Sequence, residues 1–441
     1  MNQTQIPLDP EFGARGVVSL PFPGVLGSVP VAIRELKDEK LIVVLSTTES
    51  QNSPSKVVRL NEDGSLDSTF GDGGVAPIKT PSEVFLFPRF LHLAGDGKFL
   101  IVGTAYSNEQ VELAVVRQFE NGDMDPSFGT AGLKLINVAS LIGAKANVQV
   151  MTGRHNDKKS DGYVGLEGGV NYAVQADGKI LLCCTVSYVF DEDQQGMVIR
   201  LNPDGSLDVS FNGIGFVLID LPSIKRRWNY ALAVVAHENG SIVVCGNFVR
   251  HDSDEAPEAY FVCYDPNGHI NPQFGNNNSG LVVITRPGYW LSLASMALMP
   301  GTNGLSSIIA LGSASNDGMI VMLTPTGSFN LVFNKGQPLY TRLLKDGEKW
   351  LRRGIQRDSR GIPVALILSG RGSGDWVGEH TSLLTAKYAF GGTLKEFTEF
   401  NDPSGMDYFR DCIVLANNKI VVSGFVSGSF SMSGNVLRYL G

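Results

Sequence analysis

Nothing in this sequence keeps a helical beat. No segment holds apolar residues at a sustained 3.6-residue spacing, so few helices are expected. No apolar run reaches the 18 residues of a membrane-spanning helix, and the start, MNQTQIPLDPEFGARG, lacks the apolar stretch of a signal peptide. A cytoplasmic location is the expectation, with signal-less export as the alternative. Cysteine is scarce: Cys183, Cys184, Cys245, Cys263 and Cys412 lie in strand-like apolar runs without a CxxC pair. They read as reduced core residues, which argues against a disulfide framework or a zinc site. Lys and Arg number 36 against 44 Asp and Glu, a net charge of −8 that excludes bulk nucleic-acid binding through a basic field. GxSxG and HExxH are absent, and the GxGG-like run Gly71–Gly74 is not followed by a helix or a Lys-Ser/Thr pair. The six histidines are scattered. No catalytic residue, metal ligand or cofactor is assigned.

What the chain has in abundance is turn residues and short apolar runs. It carries 51 Gly and 21 Pro, and 43% of its residues are hydrophobic, enough to bury a large core. Self-comparison finds a repeat. VVRLNEDGSLDSTFGDGGVA at 57–76 returns as VVRQFENGDMDPSFGTAGLK at 115–134 and VIRLNPDGSLDVSFNGIGFV at 198–217, then more weakly at 261–275, 321–336 and 384–397. The marker phenylalanines Phe12, Phe70, Phe128, Phe211, Phe274, Phe333 and, by a looser match, Phe397 are spaced 58, 58, 83, 63, 59 and 64. Upstream of each marker lies a hairpin signal such as LAGDGKFLIVG (93–103) or VAHENGSIVVCG (235–246), in which Asp-Gly or Asn-Gly joins two β-favouring runs.

Each unit therefore reads as four strands, A to D, and about 60 residues of short antiparallel strands is a propeller blade. Seven units use the whole chain, 1–441, as a single all-β domain. The half copy LDPEFGARGVV (8–18) opens the chain and NVLRYL (435–440) closes it. The expected closure pairs an N-terminal D strand near Gly16–Leu20 with three C-terminal strands at Asp411–Leu415, Ile420–Phe425 and Val436–Leu440, hiding two sheet edges.

The DGKILVxG and RLxxDGSLDxSFGxxG elements of these units resemble the bacterial delta-60 repeat family. The resemblance implies the repeat and the propeller, and no common activity comes with it. Calcium at the NEDGSLD and NPDGSLD turns (61–67, 202–208) would need Asn61, Asp63 and Asp67 to converge on one ion. A structural turn with a capping Asp explains the same residues more simply.

The short A–B and C–D turns share one face of the ring, which leaves the variable D–A and B–C connections on the other, where recognition is usually built. The four tryptophans, Trp228, Trp290, Trp350 and Trp376, are assigned to those connections, with Tyr172, Tyr230, Tyr289, Tyr408, Arg226, Arg227 and Arg353 beside them. An extended loop over 137–170 adds Arg154 and His155. Trp, Tyr and Arg dominate interface energetics, so the leading expectation is a non-enzymatic module that binds a protein or glycan through this face, as an adaptor, an immunity-type partner or a binding subunit. Two alternatives stand. One is a propeller hydrolase or lactonase with an axial metal site, for which the inner segments supply Arg89, Tyr172, Tyr230, Arg353 and Asp411, a set poor in carboxylates. The other is a structural building block of an oligomer. The oligomeric state is not readable from the sequence.

Overall fold

A computed structural model describes residues 5–47, 54–107, 109–143, 148–151, 170–188, 194–251, 256–275, 279–299, 306–372, 381–428 and 432–441. Strand runs such as LIVVL (41–45) and ILLCC (180–184) are apolar at every position because both faces of each blade are covered by a neighbour. Alternate side chains turn to opposite sides. Ile42 and Val44 pack toward blade 2, while Leu41, Val43 and Leu45 pack toward blade 7. The result is seven hydrophobic clusters, one in each gap between adjacent blades.

The blades are antiparallel four-stranded sheets arranged as a seven-bladed ring. Their inner strands are Val29–Glu35, Phe85–Leu93, Val170–Val174, Arg226–Ala236, Leu291–Met299, Glu348–Arg357 and Met406–Val414, for blades 1 to 7 in that order. Blade 7 takes its outer strand, Val17–Leu20, from the N-terminus, with Val17 opposite Leu437 and Leu20 opposite Gly434. The closure and the seven-bladed all-β architecture expected from the half copies are thus present.

Blade 3 departs from the pattern. Its inner position is filled by two pieces that both pair with Ile180–Tyr188: Val170–Val174, and further along Val148–Val150, which follows a short helix, Val138–Ile142. The 137–170 insertion is therefore part strand and part helix, and it leaves the blade from within the inner edge. Residues 144–147 and 152–169, including Arg154 and His155, lie outside the described residues.

The repeat motif is an inter-blade joint. In blades 1, 2, 3 and 7 the Arg of the third strand donates through Nε to the Asp of the following turn, at 2.7 Å for Arg59–Asp67, 2.7 Å for Arg117–Asp125, 2.6 Å for Arg200–Asp208 and 2.7 Å for Arg438–Asp9. Each guanidinium also lies over the marker ring, 4.5–5.0 Å from the centroids of Phe70, Phe128, Phe211 and Phe12. The other Asp oxygen caps the backbone two residues on, as an Asx turn does: Thr69, Ser127, Ser210 and Glu11 N–H groups donate to it. Six of the marker rings, from Phe12 to Phe333, then meet the turn glycine of the next blade. At Gly205, with φ +85°, a Cβ would stand 3.0 Å from the Phe128 ring, so glycine is required there for conformation and for space.

Arg438 and Asp9 join the two ends of the chain, and both side chains are only 2% exposed. Burial pushes the Asp9 carboxyl up, but Lys419, the Glu11 N–H and Arg438 together hold it below its ordinary value. Asp208 is likewise raised by burial and brought down to about 2 by Ser210, Lys179 and Arg200. Such depressed carboxyls stabilise the fold above the unfolded value of 3.8, and that contribution is lost as the pH falls through their folded values. Asp9→Asn leaves Arg438 buried without its counter-charge and should cost about 3 kcal/mol in urea unfolding. Equal midpoints for the variant and the wild type would show that the joint does not close the ring.

Candidate functional site

The inner strands share one irregularity. In six blades the strand bulges, so that one residue is skipped in the pairing register: Val31, Arg89, Leu232, Ala294, Leu351 and Arg410. All six line a single depression at the ring axis. In five of these blades the opposite residue on the second strand is glycine: Gly103, Gly246, Gly312, Gly370 and Gly424. The reason is close approach. At Gly246 a Cβ would lie 1.7 Å from the Tyr230 carbonyl oxygen that the bulge pushes toward it. In these five blades a Gly within the second strand accompanies the side chain turned to the axis.

The axial depression encloses about 70 Å³ and opens to solvent. Its wall is divided. Blades 3, 4 and 5 contribute Val170, Leu232 and Ala294, whereas blades 2, 6 and 7 contribute Arg89, Arg352, Arg371 and Arg410. Burial lowers the Arg89 guanidinium to about 10, with Arg352 adding repulsion, and lowers Arg410 to about 9, with Arg89 and Arg352 adding theirs. Both remain cations at neutral pH, held close to one another at a cost in stability. Arg410 stacks over Phe425 at 4.9 Å, and its Nε is buried with no hydrogen-bond partner.

Below this layer the charges are paired. Asp411 accepts from Arg34 Nη1 at 2.8 Å and from the Ile33 N–H through one oxygen, and from Arg352 Nε at 3.2 Å through the other. Burial works against the Arg34 charge, but Asp411 outweighs it and raises the guanidinium above its ordinary value. Arg352 also lies 5.1 Å over Phe90, which packs on Tyr172 at 5.4 Å; His92 meets the edge of Tyr172 at 6.0 Å. The His92 imidazole is pushed down by burial and by Arg34.

One carboxyl stands apart. Asp407, 1% exposed on the wall of the depression, accepts the Asp402 N–H at 2.9 Å and has no ion-pair partner among the described residues. Burial raises it to about 7, and the nearby charges of Asp402 and Glu399 push the same way. Among the described residues no group of three or more His, Cys, Asp or Glu is placed to hold a metal ion.

Four segments, 37–70, 94–128, 175–211 and 237–274, match the family model described as a domain of unknown function (DUF5122) beta-propeller. These are β-propeller repeats. No curated relative matches the chain. Solved structures with a similar ring include a polysaccharide lyase, Uly1, at 8% identity and TM-score 0.43, covering 93% of this chain and 90% of that one. The Hadza microbial sialidase Hz136 is 11% identical at TM-score 0.44, with 91% and 73% covered. The α-L-arabinofuranosidase Arb93A of Fusarium graminearum, solved with an iminosugar inhibitor, is 11% identical at TM-score 0.44, with 90% and 97% covered. At these identities the likeness is one of fold.

The expected non-enzymatic recognition module is corrected here: the similar structures just named are a polysaccharide lyase, a sialidase and an α-L-arabinofuranosidase. Nor do the aromatics that prompted that expectation gather on one surface in the propeller-repeat ring. Trp350 lies in the inner strand of blade 6, wholly buried, edge-on to Tyr388 at 6.2 Å, with Nε1 donating to Thr341. Trp228 lies in the inner strand of blade 4, stacked on Tyr230 at 4.5 Å, and the Tyr230 hydroxyl donates to Gln194. Trp290 is exposed before the inner strand of blade 5, beside Tyr289, whose ring is 3.6 Å from the Arg286 guanidinium. Arg226 approaches Asp220 at 3.8 Å, Arg227 is exposed on the same strand, and Arg353 is turned to the Leu298 carbonyl. Trp376 lies outside the described residues. Of that set, among the described residues, Tyr408 lines the axial depression, and Tyr172 packs on Phe90, which lines it. No helix among the described residues is long and apolar enough to cross a membrane.

Asp407 gives a stability test of its own. The unfolded carboxyl titrates at 3.8 and the folded one at about 7. Between those values the folded state keeps a proton that the unfolded state has released, so stability falls as the pH rises. Asp407→Asn should flatten this slope and raise Tm more at about pH 8 than at about pH 5. The same slope in both proteins would show that Asp407 titrates normally.

Proposed function

We propose that the chain is a glycan-cleaving enzyme whose active site is the axial depression, with Asp407 as the proton donor to the leaving oxygen. The observation that carries this reading is the presence, on the wall of one axial depression, of a buried carboxyl that titrates near neutral pH and of guanidiniums held at an energetic cost. Groups displaced from their ordinary titration range and retained in a cleft mark working sites. Asp411, locked between Arg34 and Arg352, acts as the anchor that positions them. Tyr408, stacked on Phe425 at 4.8 Å, offers a flat face of the kind a sugar ring packs on. The sugar-ring chemistry assigned here needs no metal. At a finer level we assign the repeats to the delta-60 type, on the DGK and DGSLDxSFG elements of units two to four.

The test is turnover of a panel of nitrophenyl glycosides of neutral and acidic sugars. Wild-type activity should fall as the pH rises above about 7, and Asp407→Asn should lose about 100-fold or more in kcat, the usual worth of a general acid. A variant that turns over any of these substrates at the wild-type rate would sink the assignment.

A further inference from the structure

We propose that the axial site takes its substrate by a carboxylate, gripped by Arg89, Arg352 and Arg410, so that the sugar it accepts is an acidic one. This rests on the axial site described above and specifies its ligand. The argument begins with the bulges. Six of seven blades turn one side chain to the axis by the same backbone device, and four of those side chains, Val31, Leu232, Ala294 and Leu351, are aliphatic. The two exceptions, Arg89 and Arg410, flank Val31 on the blades either side of blade 1, and the residue after Leu351 is Arg352. Three guanidiniums thus converge from blades 2, 6 and 7. Their mutual repulsion is felt in the lowered values of Arg89 and Arg410.

Among the described residues Asp411 is shared between Arg352 and Arg34. Asp407, whose carboxyl titrates at about 7, carries only part of a negative charge at neutral pH. Arg410 Nε is buried and unpartnered, a donor that a ligand oxygen would satisfy. Planar guanidinium forks fit carboxylate oxygens two at a time.

The sidedness of the wall decides among anions. A polyphosphate or a nucleic-acid strand would press part of its charge against Val170, Leu232 and Ala294 and would meet a chain of net charge −8 outside. A single carboxylate on an uncharged body places its charge on the arginine side and its body against the apolar side.

The experiment measures binding, independent of turnover. Thermal shift and calorimetric titration would be run with glucuronate, galacturonate and N-acetylneuraminate, with glucose and galactose as neutral counterparts, and with inorganic phosphate. At least one acidic sugar should raise Tm and bind, with the neutral sugars and phosphate giving no comparable effect. Arg410→Met and Arg89→Met should each weaken that binding by about 10- to 100-fold, the worth of one charge-assisted hydrogen bond. Arg410→Met should itself raise Tm in the absence of ligand, which separates a ligand-gripping role from a structural one. Arg410→Lys, which keeps the charge without the fork, should recover part of the binding and guards against a folding defect in the Met variant.

Equal response to neutral sugars, phosphate binding as strong as that of any acidic sugar, or undiminished binding by both Met variants would each overturn the carboxylate assignment. Binding of acidic sugars without any turnover would uphold it while removing the enzyme reading. Turnover of neutral glycosides alone would do the reverse.

Discussion

The ring depends on one contact, a phenylalanine ring wedged against the turn glycine of the next blade. Phe12 meets Gly64, Phe70 meets Gly122, Phe128 meets Gly205, Phe211 meets Gly268 and Phe274 meets Gly327, with a Cβ on each glycine falling about 3 Å or less from the ring in every case. Backbone bonds run alongside: Gly13, Gly129, Asn212 and Gly275 N–H groups donate to the Asp63, Asp204, Asn267 and Thr326 carbonyls one blade further on. The Arg–Asp pair behind the ring orients it, and this part is replaceable. Blade 4 has Cys263 and Asn271 in those positions, whose side chains meet at 3.8 Å. There the wedge of Phe274 on Gly327 persists where the charge is lost. That order of persistence is what physical chemistry predicts, because a buried ion pair contributes specificity more reliably than stability, whereas apolar packing contributes stability directly. At the seam between the termini the ionic form is retained, where chain connectivity supplies no other link.

A second consequence follows from the inner edge. Neighbouring inner strands converge on the axis, and a regular strand would alternate its side chains between the two inter-blade gaps without presenting one to the centre. The bulge supplies the missing direction, and the facing glycine makes room for the displaced carbonyl. The axial site is thus a set of positions fixed by repeated backbone geometry, each free to vary in chemistry without disturbing the packed gaps. Side chains carried on rigid strands and backed by a paired layer, here Asp411 with Arg34 and Arg352, are preorganised in a way that loops are not.

The fold was legible in the sequence because its signals are local. Two runs of Val, Ile and Leu around Asp-Gly define a hairpin without reference to anything distant, and the half copies at the ends define the closure by subtraction. The site was less legible for two physical reasons. Trp350 and Trp228 looked like loop residues because the inner strands begin earlier than the apolar runs suggest, at Glu348 and Arg226, where polar side chains interrupt the pattern. Arg89 and Arg410 are single charges inside β-runs, and a bulge breaks the two-residue period that would have told which way they point. The glycines opposite them were visible in IVG and VSG, but their meaning requires the strand pairing. Asp407 was invisible for a related reason: its displaced titration comes from burial and from Glu399 and Asp402, which the sequence places nearby without showing that they enclose it.

Blade 3 shows how the same constraints permit departure. It has Cys184 where the second strands of blades 2, 4, 5, 6 and 7 have glycine, its inner strand makes no bulge at that level, and no side chain is turned to the axis by that device. No bulged carbonyl faces Cys184, whereas blade 1 bulges opposite Leu45. The insertion enters at the same height, between Val150 and Val170, so relief from the bulge and loss of the glycine belong to one change in backbone. Val170 then borders the depression on its apolar side, opposite the arginines. The charge asymmetry of the site is therefore partly an asymmetry of construction: the blades that bulge can present an arginine, and the one that does not borders the depression with the uncharged Val170 and Asn171.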